Sequence, residues 1–133
     1  MEQKVLSDQI TVSGQISLED LQQLHRAGVK TIICNRPDHE DPGQIDFESI
    51  ATAAQELGME AHFMPVISGE IVKDDGRKFG ELLAKVPKPV HAYCRSGTRC
   101  SILWTLSELD KGTDRDNLIK TAAKAGYDVS RTI

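Results

Sequence analysis

Three cysteines in 133 residues, Cys34, Cys94 and Cys100, are too few and too oddly numbered for a disulfide framework. No Cys-x-x-Cys pair is present, and the four histidines (His25, His39, His62, His91) lack the spacing of metal ligands. Neither a metal nor a cofactor is therefore expected. No apolar run approaches the roughly 20 residues of a membrane span, so no membrane partner is expected. No apolar stretch follows Met1-Glu2-Gln3-Lys4, so no secretory leader is expected. Neither sign of charge dominates: Lys plus Arg number 16 and Asp plus Glu 20, a net charge of −4. That balance argues against a nucleic-acid partner but leaves room for a small basic pocket that takes one anion. There is no repeat, low-complexity tract or linker. What remains is 39% hydrophobic and 27% charged, the composition of a globular chain long enough for one real core, read as one domain over residues 1–133. The expected setting is a reduced cytoplasm, where a functional cysteine acts as a thiolate.

Punctuation along the chain alternates strand with helix. Ile10 to Val12 is a short β-prone run. Ser17 with Asp20 forms a capping-box variant ahead of a stripe of Leu18, Leu21 and Leu24, and Gly28 is the stop. Val29 to Cys34 reads as a buried strand. A helix is expected from about Asp46 to Leu57, a strand from Ala61 to Ile67, and a helix capped by Asp74 or Asp75 that carries Phe79, Leu82, Leu83 and Val86. Val90 to Tyr93 is the next strand, and a helix from Arg99 or Cys100 to Leu109 follows. Thr113 is expected to cap a last helix ending at Gly126. Such alternation, with no hairpin signal, implies an α/β fold with a mostly parallel central sheet flanked by helices. Sites in such sheets lie beyond the carboxyl ends of the strands. Three loops qualify: Asn35 to Asp38, Ser68 to Asp75 and Cys94 to Arg99.

The third loop carries the chemistry. In Val90-His-Ala-Tyr-Cys94-Arg-Ser-Gly-Thr-Arg99-Cys100 a cysteine leaves a buried strand, a short loop turns at Gly97, and a helix begins. Loop N–H groups form an anion nest, and the helix N-terminus adds partial positive charge. Arg95 and Arg99 add full charges. All of these favour the thiolate of Cys94, whose pKa should fall well below the free-thiol value of about 8.5. Cys94 is thus the expected nucleophile and Arg99 the bidentate grip on oxygens, while Arg95, Ser96, Gly97 and Thr98 bind the anion. A structural cysteine needs none of these neighbours. That plainer reading suits Cys34.

Strand, cysteine, loop, arginine, helix resembles the active-site loop shared by protein tyrosine phosphatases, dual-specificity phosphatases and rhodaneses. Through Ser13-Gly14-Gln15, Ala27-Gly28-Val29, Asn35-Arg36-Pro37-Asp38, Pro65-Val66, the cysteine loop and Ala125-Gly126-Tyr127-Asp128, residues 5 to 130 are similar to the phosphatase-like domain of beta-lactamase hydrolase-like proteins. The resemblance implies a fold like that of dual-specificity phosphatases, with either phosphatase or sulfurtransferase activity.

Two departures from the phosphatase pattern bear on the reaction. Four residues separate Cys94 from Arg99, one fewer than in phosphatases of this type and matching the rhodanese loop. A tighter ring of amides suits a lone persulfide sulfur better than a phosphoryl group. Phosphate ester cleavage also needs a proton donor for the leaving alkoxide, and no Asp stands at the expected place after Pro65-Val66; Glu70, Asp74 or Asp75 could swing in, and the plainer reading is a solvated Glu70 and a helix cap at Asp74 or Asp75. The expectation from these points is a rhodanese-like sulfurtransferase that carries sulfane sulfur as a Cys94 persulfide, taken from thiosulfate or glutathione persulfide. The alternatives are a cysteine-dependent phosphatase acting on phosphotyrosine or another phosphoester, and a non-catalytic anion- or persulfide-binding module. The resemblance also suggests a persulfide-oxidising partner enzyme. Cys100 stands where the family usually has Ser or Thr, and reads as helix packing or as a second thiol for Cys94. Arg36 is a further candidate anion ligand, at a strand end beside Asp38; the other reading of both is a surface ion pair. His91 and Trp104 read as core, and His62 has no identifiable partner.

Overall fold

The computed structural model describes residues 1–133. Its elements in chain order are β1 (Lys4–Val5), β2 (Ile10–Ser13), α1 (Leu18–Arg26), β3 (Thr31–Cys34), α2 (Phe47–Glu56), β4 (Glu60–Phe63), α3 (Lys73–Lys85), β5 (Val90–Tyr93), α4 (Thr98–Asp110) and α5 (Arg115–Lys124). The sheet runs β1-β2-β5-β3-β4, parallel except for β1, which pairs antiparallel with β2. That two-residue edge strand is the hairpin that no sequence signal announced.

Alternation along the strands divides the core between the two faces of the sheet. Val12, Ile33, Val90 and Ala92 join Phe79, Leu103 and Trp104 on the face covered by α3, α4 and α5. Ile32, Cys34 and Tyr93 join Leu21, Leu24, Ile50 and Ala54 under α1 and α2. The α1 cap is as expected: Ser17 accepts from Asp20 N, and Asp20 accepts from Ser17 N. Two helix starts differ from expectation. In α3, Asp75 accepts the Val72 N–H at 2.9 Å from the third helical position rather than from the cap. In α5 the cap is Asp114, one residue after Thr113, and it accepts from Asn117 N. The strands are shorter than the hydrophobic runs that signal them; Met64 to Ile67 lie beyond β4. No helix is long and apolar enough to cross a membrane.

Helix α4 is buried on nearly all sides, with every residue from Arg99 to Ser107 buried. Its interior hydroxyls survive burial by donating back to helix carbonyls: Ser101 to Gly97, Thr105 to Ser101 and Ser107 to Trp104. α3 comes unusually close to α4 because Gly76 lacks a Cβ, which would overlap that of Leu106. Gly76→Val should therefore cost about 2–3 kcal/mol in urea unfolding despite removing a helix glycine; a neutral result would refute this close contact.

The register aligns the carboxyl ends of three strands: Ser13 lies opposite Tyr93, and Tyr93 opposite Cys34. The segments that follow, Gly14 onward, Asn35 to Asp41 and Cys94 to Gly97, therefore meet at one end of the sheet.

Candidate active site

Cys94 follows the last residue of β5 and donates its N–H to Ser13 O, so the sheet hydrogen-bonding continues to the nucleophile itself. Its thiol is almost wholly covered, at 1% exposure. Gly97 turns the loop with φ 92° and directs its N–H to Cys94 Sγ at 3.0 Å. Cys94 is pulled down to about 5, foremost by a hydrogen bond from the Cys100 thiol; burial opposes this, and the N–H groups of Cys100, Ser96 and Gly97 assist. Burial, and then the neighbouring Cys94, push the Cys100 thiol well above its ordinary value. The pair thus holds one proton, on Cys100.

Arg99 is 5% exposed, and its fork closes on Glu40: Nη1 donates to Oε2 at 2.9 Å and Nη2 to Oε1 at 2.8 Å, with Nη1 also donating to Val66 O at 3.0 Å. Arg36 reaches the same carboxylate, its Nε donating to Oε1 at 2.9 Å, and binds Gln15 and Asp41 through Nη1 and Nη2. Hydrogen bonds from Arg99 hold Glu40 below the usual carboxylate range; burial opposes, and Arg36 assists. Asp41 is also 3.3 Å from Arg95 Nε. A left-handed residue, His39 with φ 66°, precedes these two acids, and Gln44 accepts both of their N–H groups. The strained turn aims two carboxylates at three arginines.

A cleft of about 380 Å³ opens above the loop, lined by Ser68, Gly69, Ile71, Arg95, Ser96, Thr98, Arg99 and Ile102. It contains no carboxylate. Asp74 pairs with Arg77 and Lys78, Asp75 accepts the Val72 N–H at the start of α3, and Glu70 is exposed. A second cleft, lined by Ile10, Val90 and Trp104 among others, holds no cysteine or histidine.

Of the residues expected at the site, Arg95, Ser96, Thr98 and Arg99 line this cleft, while Cys94, Gly97 and the fully buried Cys100 belong to the same loop and helix start but not to the lining. Arg36 is placed otherwise than expected. At 1% exposure, with its guanidinium committed to Glu40, Gln15 and Asp41, it does not line the cleft; it braces the carboxylate that braces Arg99. Nor do Arg36 and Asp38 form a surface ion pair, since Asp38 accepts the Phe47 N–H at the start of α2. Cys34 is buried, donates to Arg36 O and is raised by burial, which keeps it a thiol. His91 lies between the hydroxyls of Thr11 and Ser13, 2.8 Å from each, and burial holds it neutral down to about 3. His62 pairs with Glu60 on the edge strand. Glu40 and Tyr127, whose hydroxyl reaches Ser96 O at 3.0 Å, are the site residues that sequence reasoning missed. The i,i+4 spacing of Arg36 and Glu40 hinted at the first, and Tyr127 stands in the Ala125-to-Asp128 motif of the family resemblance, which carried no site role.

A cysteine with a depressed pKa thus stands in an amide loop at the carboxyl end of a mostly parallel sheet, in a fold like that of the protein tyrosine and dual-specificity phosphatases. The same fold appears in Pseudomonas aeruginosa TpbA in complex with pTyr, at 13% identity and a TM-score of 0.73, covering 97% of this chain and 76% of that one. Residues 2–110 match the model of the beta-lactamase hydrolase-like protein, phosphatase-like domain, and the chain belongs to that family. A beta-lactamase hydrolase-like protein of Agrobacterium fabrum is 34% identical over 125 residues, 93% of this chain but 29% of that protein. The chain thus spans under a third of the length of the curated relatives it matches. A crystal structure of a candidate phosphatase from Neisseria meningitidis is 38% identical, with a TM-score of 0.88, covering 97% of this chain and 92% of that one.

Proposed function

We propose that this chain is a cysteine-dependent phosphatase for esters of acidic alcohols, aryl phosphates such as phosphotyrosine foremost. The observation that carries the reading is the ionised Cys94 at the head of the loop whose Arg95, Ser96, Thr98 and Arg99 line a cleft. Membership of a phosphatase-like family and the likeness to the neisserial protein support it over sulfur transfer, the expectation drawn from loop length.

The Cys94 thiolate attacks phosphorus; an S–P bond forms and the ester P–O bond breaks. The leaving phenolate takes its proton from water, since no carboxylic acid lines the cleft. Water then attacks the phosphocysteine, the S–P bond breaks, and inorganic phosphate and the thiolate are released. Three of the five Arg99 N–H groups are spent on Glu40 and Val66, leaving Nε–H and one Nη2–H for the phosphoryl oxygens. Without a donor acid, the rate should fall steeply as the leaving group becomes more basic.

Sulfur transfer is the second reading, favoured by the four-residue loop. There Cys94 attacks the outer sulfur of thiosulfate, forming Cys94–S–S⁻ and releasing sulfite. One comparison separates the two. Wild-type protein is given an aryl phosphate or glutathione persulfide, with phosphate release followed and intact mass taken. Rapid phosphate release, much slower from alkyl phosphates, and no sulfur gained is the expected result. A sulfur adduct with no phosphate release would overturn the phosphatase reading.

A further inference from the structure

We propose that Tyr127 is a positioning residue for Cys94, acting through the Ser96–Gly97 peptide. The proposal rests on Cys94 being the nucleophile, whichever electrophile it attacks.

The loop amides must point inward at sulfur, so their carbonyls must point outward. In a trans peptide C=O and N–H are antiparallel, and fixing one fixes the other. The Tyr127 hydroxyl donates to Ser96 O at 3.0 Å. The N–H of that same peptide belongs to Gly97 and lies 3.0 Å from Cys94 Sγ. One side chain therefore grips the outer end of a peptide whose inner end touches the nucleophile. The grip is close: a Cβ on Gly97 would overlap the tyrosine hydroxyl. Gly97 thus meets two demands, its left-handed φ and the space Tyr127 takes. The neighbouring peptide is seated in a similar way. A Cβ on Gly14 would lie 2.8 Å from Arg95 O, and the N–H of that peptide, from Ser96, is another of the groups stabilising the thiolate.

Tyr127 is itself held firmly. Its N–H donates to Ala122 O at the end of α5, and its side chain packs against the buried cluster of Ile102, Leu106, Ala122 and Val129. Arg115 ties the tail back through Ser130 O and Ile133 O. The residue lies outside the 2–110 span of the family match, so the last helix and tail reach back to complete the loop.

Tyr127→Phe keeps the ring and removes the grip. The readout is the ultraviolet absorbance of the thiolate against pH, taken as the difference from the same protein carrying Cys94→Ser. In wild type the thiolate should form near pH 5. In Tyr127→Phe the midpoint should rise by about 0.5–1 unit, and the acid limb of kcat/KM should move with it. Purely structural packing would lower Tm without moving the midpoint. An unmoved midpoint in Tyr127→Phe overturns the proposal alone. A wild-type midpoint at the ordinary thiol value overturns both the proposal and the ionised Cys94.

Discussion

Cys94→Ser should lower kcat/KM for an aryl phosphate by about a thousandfold or more, since a serine hydroxyl stays protonated where the thiol ionises. The same variant should change how stability depends on pH. The folded Cys94 sits near 5 against an ordinary value of 9.0. A depressed acid contributes its full stabilisation above the unfolded value and loses it as pH falls through the folded one. Wild type should therefore gain on the variant as pH rises from about 5 to 9, with a slope approaching about 1.4 kcal/mol per unit. His91 also titrates. Held neutral by burial down to about 3, it costs stability once the unfolded chain takes up a proton below 6.5. That loss is common to both proteins and cancels in the difference. Urea unfolding at several pH values measures it, and a difference that stays flat across this window would mean that Cys94 is not ionised.

Glu40→Ala should be the most damaging change away from the nucleophile. Arg36 and Arg99 are 1% and 5% exposed, and both place an N–H on this carboxylate. Removing it leaves two covered guanidinium groups short of an anion, at a cost of about 3–5 kcal/mol. Arg99 also loses the fork that sets its plane, so kcat/KM should fall by about a hundredfold. Glu40→Gln keeps the shape without the charge and should fall between the two in both unfolding and turnover. If Glu40→Ala unfolds and turns over like wild type, the carboxylate neither stabilises nor orients Arg99.

The cysteine loop was legible in the sequence because its parts are contiguous. Cys94, Gly97 and Arg99 act through backbone amides, a turn and a helix start, all local. The alternation of strand and helix was legible for the same reason. The Glu40–Arg99 pair was not: 59 positions separate the partners, and no local pattern marks an acid as belonging to a distant arginine. Arg36 misled because arginine is rarely so deeply covered, and an arginine at a strand end reads as a ligand. The loop length pointed to sulfur, but it measures spacing along the chain, and family membership, which supports the phosphatase reading, rests on residues 2–110 rather than on that one loop. Strand β1 escaped because two residues carry no periodicity.

The carboxylates that brace the arginines also silence them at a distance. Arg36, Arg95 and Arg99 are matched by Glu40, Asp41 and the ionised Cys94, three cations against three anions within one cluster. A phosphate dianion approaching this end of the sheet meets little net attraction until it is within reach of individual N–H groups. Selection is thereby left to fit at contact, and free inorganic anions gain no long-range advantage in reaching the cleft.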